Sequence, residues 1–359
     1  FDLDRLGEEQ EAALISQVTS GKPLPAEVHV QIVEKAAGVP LWITELTRNV
    51  LESGVVEERE DRFELTGKTS TVAVPSTLQD SLMARLDRLS IAKNVAQIGA
   101  TIGRDFSYQL LADVASFAQP KLDKALRQLT DAELLSRDGN PPEAVYTFRH
   151  ALIQDSAYSG LLRDKRQDLH GRIATTLVEQ SPEIVDTRPE LLAHHHTHAG
   201  EPLVAIPYWQ RAATKAADRA AHTEAIRHLE TALGLLDELP EDRERDQIEL
   251  GVRAVLGVNL EATLGYAAGE VQTSYHRAHE LCRKLGETVE LVPVLLGLYV
   301  YHLVRSELAT ARKFAEQCVR LSEEAGNLDY LVESNVALGF AIFYQGEIEE
   351  SRGPLGDCV

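Results

Sequence analysis

The sequence predicts a mainly α protein: a short run of helices, a small helix-and-hairpin unit, then an array of helical hairpins. Three observations carry this. Ala and Leu are abundant while aromatics make up only 6% of the chain. Ala and Leu lead in helices, whereas aromatic and β-branched residues lead in strands. Apolar residues recur at helical spacing over most of the chain. In the C-terminal half, small residues stand seven apart: Ala225 and Ala232, Ala311 and Cys318, Ser351 and Cys358.

Taken in order, Leu3 to Ser53 reads as three helices. Leu14, Ile15 and Val18 form the stripe of the first. Pro25 starts the second, with Val28, Ile32 and Val33 inward, and Gly38 stops it. Pro40 sits in the first turn of the third, where its missing N–H costs nothing. Leu41, Ile43, Leu46, Val50 and Leu51 then repeat with helical spacing, and Gly54 ends the run. Glu57 to Asp61 reads as an acidic turn and Arg62 to Leu65 as a short strand. Pro75 begins a helix with Leu78, Leu82, Leu86 and Leu89 on one face. Helices follow at Ile91–Ile102, Tyr108–Ser116 and Lys121–Ala132. A hairpin comes next: Leu134 and Leu135, a Gly139-Asn140-Pro141-Pro142 turn, and Val145 to Phe148. Helices followed by a small hairpin are the order of a winged-helix domain. Helix resumes from His150 to about Gln180.

A Pro-punctuated connection, Ser181 to Glu190, leads into the hairpin array. Small residues at seven-residue spacing let paired helices approach closely. Ser306-Glu307-Leu308 and Gly346-Glu347-Ile348 open matching patterns that end in Arg312 and Arg352. A period of roughly 34–45 residues marks helix-pair solenoids, in which each pair buries its apolar face only against its neighbours. The spacing is irregular, and the pair around Gly269–Leu285 fits loosely. We read degenerate tetratricopeptide-like repeats. Leu239 to Asp246, with Pro240 and alternating charges, is a solvated turn between them.

The 359 residues suffice for two or three domains, or one domain plus a repeat array. Net charge is −20, and so acidic a surface disfavours nucleic acid and anionic lipid as partners. Cys282, Cys318 and Cys358 are odd in number and widely spaced. They suit small core residues in a reducing cytoplasm, not a disulfide framework or a zinc site. No run approaches the roughly 18 apolar residues of a membrane span. The chain opens at Phe1, not Met, and closes at Val359 inside an unfinished helix pair. Both ends predict that the functional whole is longer.

No complete catalytic motif is present. Gly21-Lys22-Pro23 contains a GK pair, but no Gly-rich loop precedes it, so it reads as an ordinary turn. His194 and His198 lie four apart, a spacing at which two imidazoles share a helix face and can hold a metal. No carboxylate or Cys at close spacing completes the set, so the cluster reads as a His-rich polar surface and no metal site is predicted. Lys121, Lys124 and Arg127 fall on the helix that a winged-helix protein would place in a major groove. Arg163, Lys165, Arg166 and Arg172 form a second basic group. Asp123, Asp131 and Asp164 interrupt this charge, which favours solvated faces.

Several segments together resemble one family. They are Gly38-Val39-Pro40-Leu41 with Glu45-Leu46 and Leu51-Glu52-Ser53-Gly54; Pro75-Ser76-Thr77-Leu78-Gln79-Asp80 with Ala84-Arg85-Leu86-Asp87-Arg88-Leu89; Ile98-Gly99-Ala100 with Ile102-Gly103-Arg104-Asp105-Phe106; and Phe148-Arg149-His150-Ala151-Leu152-Ile153-Gln154-Asp155 with Ala157-Tyr158, Leu161-Leu162 and Leu169-His170. The set resembles the lid and following segments of signal-transduction ATPases of the STAND class, within the AAA+ superfamily. It is similar to bacterial multidomain proteins in which an adenylate/guanylate cyclase domain precedes the ATPase and a helical-repeat tail. Similar tails also follow ATPases in large transcriptional activators. The likeness is good over residues 1–285 and loose beyond.

The resemblance implies ATPase lid helices at 1–60, a winged-helix-like domain at 61–180, and tetratricopeptide-like repeats at 191–359, incomplete at the C-terminus. It implies that the phosphate-binding loop, the Mg²⁺-holding carboxylate and any cyclase domain lie upstream, so that ATP or ADP and Mg²⁺ belong to the parent protein. It further implies that Val39 and Pro40 pack against adenine; a simple helix start accounts for Pro40 equally well. His150 corresponds to a winged-helix His near the β-phosphate of ADP. The relatives often follow that His with Asp where this chain has Ala151, and a capping or buried hydrogen-bonded His is the competing reading. The function implied is that of a cytoplasmic regulatory or sensor segment in signal transduction. It would couple a protein or small-molecule effector on the repeat surface to the ATPase domain of the same chain. A winged-helix DNA-binding transcriptional regulator is the alternative, and a metalloenzyme built on His194 and His198 ranks last.

Overall fold

The computed structural model describes residues 5–66, 78–286 and 291–356. The chain divides into two compact units, Phe1–Thr176 and Leu177–Val359. Both are dominated by helices, so the fold is mainly α as the composition predicts.

The first unit opens with α1 (Glu8–Val18), α2 (Ala26–Ala36) and α3 (Pro40–Glu52). Their inward residues Ile15, Val28, Ile32, Ile43, Leu46 and Val50 form one apolar cluster. A two-stranded ribbon follows, β1 (Val56–Glu58) with β2 (Phe63–Leu65), antiparallel with Val56 opposite Leu65. The acidic segment read as a turn thus begins as a strand, because Val56 is buried against the α1–α3 cluster. The turn at Gly21-Lys22-Pro23 is structural: the Lys22 ammonium donates to Glu58 at 2.6 Å and to the Arg59 carbonyl at 3.1 Å.

Next come α4 (Leu78–Arg88), α5 (Ile91–Ile102), β3 (Asp105–Ser107), α6 (Tyr108–Ala115), α7 (Gln119–Asp131), β4 (Leu135–Asp138) and β5 (Val145–Phe148). Pro75, Ser76 and Thr77 lie outside the described residues. The expected hairpin is β4–β5, with Leu135 opposite Phe148. A third strand, β3, pairs with the far side of β5, giving the order β3-β5-β4. Gly99 makes room for this strand, since a Cβ there would lie 2.7 Å from the Phe106 ring. The helix expected from His150 to Gln180 is two helices, α8 (Ala151–Ser159) and α9 (Arg163–Gln180). The break falls at Gly160, where a Cβ would meet Met83 Cε at 2.8 Å.

The second unit contains α10 (Ile184–Thr187), α11 (Pro189–Ala199), α12 (Pro202–Asp218), α13 (His222–Leu236), α14 (Arg243–Leu264), α15 (Gly269–Leu285), α16 (Val292–Val304), α17 (Leu308–Ala325), α18 (Leu328–Tyr344) and α19 (Ile348–Gly356). From α11 onward, consecutive helices pack on one another in solenoid fashion. Ala225, Ala232, Ala311 and Cys318 are fully buried, as their spacing predicts, while Cys358 lies outside the described residues. The loosely fitting pair is packed by another device. Tyr275 of α15 is 2% exposed. It sits against Gly257 of α14 and Gly297 of α16, where added Cβ atoms would lie 2.5 and 2.4 Å from its ring. A large residue between two glycines does here what small-on-small contact does elsewhere in the array.

Among the described residues, no helix is long and apolar enough to cross a membrane.

Candidate functional site

The site begins at a reversal between α2 and α3. Ala37 and Gly38 both adopt left-handed backbone, with φ of +48° and +78°. At Gly38 the conformation and the space both demand glycine. A Cβ would lie 2.7 Å from Arg5 Cβ and 3.0 Å from the Leu6 carbonyl oxygen. The Leu6 N–H donates to the Gly38 carbonyl at 2.9 Å and fixes the turn. Val39 is then the extended N-cap of α3 and Pro40 its first residue. Both side chains are exposed rather than packed.

A second wall forms where β5 ends. Tyr146 and Phe148 point into the core, and Phe148 is fully buried. Arg149 and His150 follow on the outside, and His150 is the extended N-cap of α8. The His150 side chain is exposed and makes no capping hydrogen bond. The competing reading of a capping or buried histidine is therefore overturned. Ala151 takes the first helical position, and the positive end of the α8 dipole lies beside the imidazole.

These walls enclose a cleft of about 430 Å³, lined by Val39, Pro40, Thr44, Arg48, Glu133, Arg149 and His150 together with Leu14, Leu41 and Glu45. That volume suits a small molecule. Val39, Pro40 and His150, far apart in sequence, are thus brought together. The floor is fastened by a buried charged hub. Arg85 of α4, 2% exposed, pairs with Glu45 and with Glu52 of α3 and donates to the Ala132 carbonyl at 2.8 Å. Arg85 belongs to a segment that carries the family resemblance, and its place here is architectural.

The cleft's charge comes from residues that sequence reasoning did not single out. Arg48 donates to Glu133 Oε2 at 2.5 Å, and Arg149 Nη1 lies 3.6 Å from the same oxygen. Hydrogen bonding from Arg48 holds the Glu133 carboxyl below the usual carboxylate range. Arg48 carried a legible signal, because Pro40, Thr44 and Arg48 follow at four-residue spacing on one face of α3. Arg149 adjoins His150. Glu133 had no such signal: it sits past α7 in left-handed backbone, at φ +56°.

The other sequence candidates lie elsewhere. Lys121, Lys124 and Arg127 are exposed on α7, opposite its buried Leu122, Leu126 and Leu129. Arg166 stacks over the Tyr158 ring at 4.5 Å, and Arg172 donates to Ser116 Oγ at 2.8 Å. The His194 and His198 rings lie 4.2 Å apart on α11, and His198 Nδ1 contacts the His194 carbonyl at 2.9 Å. Among the described residues, no three His, Cys, Asp or Glu side chains gather as a metal site would require. A larger open groove of about 820 Å³ runs along α12 in the second unit. Its cations are already engaged, Lys215 with the Asp186 carbonyl at 3.1 Å and Arg211 with the Asp186 carboxylate at 3.8 Å.

No family model matches the chain. An uncharacterized protein of Rhizobium meliloti (strain 1021) is 30% identical over 268 residues, covering 74% of this chain and 26% of that protein. The chain therefore spans about a quarter of the length of the curated relative it matches. Among solved structures, BtubC (BKLC) from P. vanneervenii aligns over 69% of this chain and 89% of its own, with a TM-score of 0.43 and 12% identity. A Signal Transduction ATPase with Numerous Domains protein with a tetratricopeptide repeat sensor, from Pyrococcus horikoshii, aligns over 99% of this chain and 60% of its own, with a TM-score of 0.38 and 11% identity. At these scores and identities the likenesses decide nothing about activity.

Proposed function

We propose that this chain is a regulatory and sensor segment of a STAND-class signalling ATPase, and that the cleft is the lid-side part of its nucleotide site. The supporting observation is the convergence of Val39, Pro40 and His150 in one cleft of about 430 Å³ beside two arginines. Val39 and Pro40 offer an apolar face suited to adenine. His150, at the N-terminus of α8, suits a phosphate oxygen. In this reading residues 1–60 are the lid helices and 61–180 a winged-helix domain, a reading supported by the succession of helices and a strand hairpin from α5 to β5. Residues 191–359 are tetratricopeptide-like repeats that take a protein or small-molecule effector and report it to the ATPase of the same polypeptide. ATP or ADP and Mg²⁺, a cytoplasmic setting and an adenylate or guanylate cyclase output belong to the same proposal, for the parent protein.

The test is hydrogen exchange on the 359-residue chain with millimolar ADP. Protection is expected at residues 39–48 and 149–152, weak because only one side of the site is supplied, and His150→Ala should remove it. No protection at either segment overturns the reading, as does ATP turnover by this chain.

One observation favours a second reading. The exposed Lys121, Lys124 and Arg127 of α7 lie on the helix a DNA-binding winged helix would use. A gel shift that keeps sequence preference at moderate salt would support it; binding that vanishes with salt and shows no preference counts against it.

A further inference from the structure

Glu133 Oε2 is the meeting point of two guanidinium groups from separate parts of the first unit. Arg48 reaches it from α3 at 2.5 Å, and Arg149 from the end of β5 at 3.6 Å. All three side chains line the same cleft, next to His150. Glu133 is 45% exposed on its side chain, so the carboxylate can turn outward into water. Its backbone is left-handed at φ +56°, a conformation that disfavours a non-glycine residue. A glycine or asparagine would suit that turn better, and neither would place a carboxylate between the two arginines.

We infer that Glu133 is a resident stand-in for an anionic ligand. Arg48 and Arg149 form a phosphate-class anion site, and the ligand enters by displacing the Glu133 carboxylate. A guanidinium presents paired N–H donors that match phosphate oxygens as well as a carboxylate's. An anion oxygen placed where Oε2 now sits meets both arginines at once. The helix N-terminus behind His150 adds positive potential on the same side. The exchange keeps every charge paired: the arginines pass from carboxylate to ligand, and Glu133 passes to water. The cleft is thereby held shut to weak anions and opens to one that offers two or more oxygens. This deepens the nucleotide reading, since it assigns the groups that hold the phosphates, yet it does not require adenine.

The experiment measures binding of inorganic pyrophosphate and of ADP to the full chain by titration calorimetry at fixed ionic strength. The variants are Glu133→Gln, Glu133→Gly and Arg149→Gln. Losing the competing carboxylate is expected to tighten pyrophosphate binding roughly fivefold, the size of one partly exposed ion pair. Glu133→Gly also relieves the left-handed backbone, so an effect shared by both Glu133 variants is not a folding artefact. Arg149→Gln should weaken binding. If neither Glu133 variant binds pyrophosphate more tightly than the unmodified chain, Glu133 is only a structural link and the inference falls. Should ADP bind while its affinity and that of pyrophosphate are both indifferent to Glu133, the inference falls and the nucleotide reading stands. Tighter pyrophosphate binding with no further gain from ADP leaves the inference standing and overturns the adenine site. Absence of any binding in every variant overturns both.

Discussion

The two units of this chain solve the same problem, packing helices, with a different emphasis. The first fastens α3 to α4 through a buried charge: Arg85 is held between Glu45 and Glu52 and caps the Ala132 carbonyl. The second fits helices by size, with Tyr275 set between Gly257 and Gly297. It buries carboxylates too, but pairs them with arginine or lysine side chains that reach solvent: Glu249 of α14, 5% exposed, accepts from the partly exposed Arg277 of α15 at 2.9 Å. Or again, Arg312 reaches Glu347 at 2.7 Å and Glu350 at 2.6 Å. The difference has a physical reason. Directional ion pairs fix side chains at defined points, which a ligand cleft needs. Size complementarity only has to repeat, which a solenoid needs.

Breaking the hub should give the largest effect. Arg85→Met leaves Glu45, 3% exposed, without its partner, and a buried charge stripped of its counter-ion costs about 3–5 kcal/mol. Hydrogen-exchange protection in α3 and α4 should collapse while that of α15 and α16 is unchanged. Adding Glu45→Leu should restore most of the loss, because the uncompensated charge is then gone. Failure of that rescue would mean that the hub's hydrogen bonds, not its charge, hold the unit.

Filling the gap in the array should come next. Gly297→Ala places a methyl group 2.4 Å from Tyr275 as it now stands. Overpacking of this kind costs about 1–3 kcal/mol. Protection should fall in α14 to α16 and remain in the first unit. Pairing the change with Tyr275→Leu should recover part of it, since the ring is what the methyl group meets.

Mild acid should separate the units more gently. His195 of α11 is 1% exposed, and burial first, then His194 and His198, push its pKa down to about 3 from 6.5. Above pH 6.5 the ring is neutral folded and unfolded, so it contributes nothing to the balance. Below 6.5 the unfolded chain takes a proton that the folded chain does not, and stability falls by about 1.4 kcal/mol per pH unit. By pH 5 the repeat unit should have lost about 2 kcal/mol through this residue. His195→Gln should remove that slope. Thermal melts of the two proteins at pH 7 and 5 read it directly, and equal slopes would contradict the assignment.

Much of this was legible in the residues. Leu14 with Ile15, Val28 with Ile32, and Ile43 with Leu46 carry helical spacing within a few residues of each other, and all belong to the first cluster. Ala225 with Ala232, and Ala311 with Cys318, announced close helix contacts that the structure contains. The strands β1 and β3 were not legible, because three residues are too few to show a period. The break between α8 and α9 was hidden for a different reason. Gly160 packs against Met83, a residue far away in the chain.

The sequence by itself determined the mainly α class, the Gly38-Val39-Pro40 turn and the chemical character of His150. Those features depend on backbone sterics and on neighbours within a turn or two. Only the tertiary structure decided that the His150 side chain stands exposed on the wall of a cleft with Val39 and Pro40, that Tyr275 fills the space two glycines leave, and that Arg48 and Arg149 meet on a single oxygen of Glu133. Each of these is a contact between segments whose separation along the chain carries no periodic signal. They come into being only when the cores beneath them close.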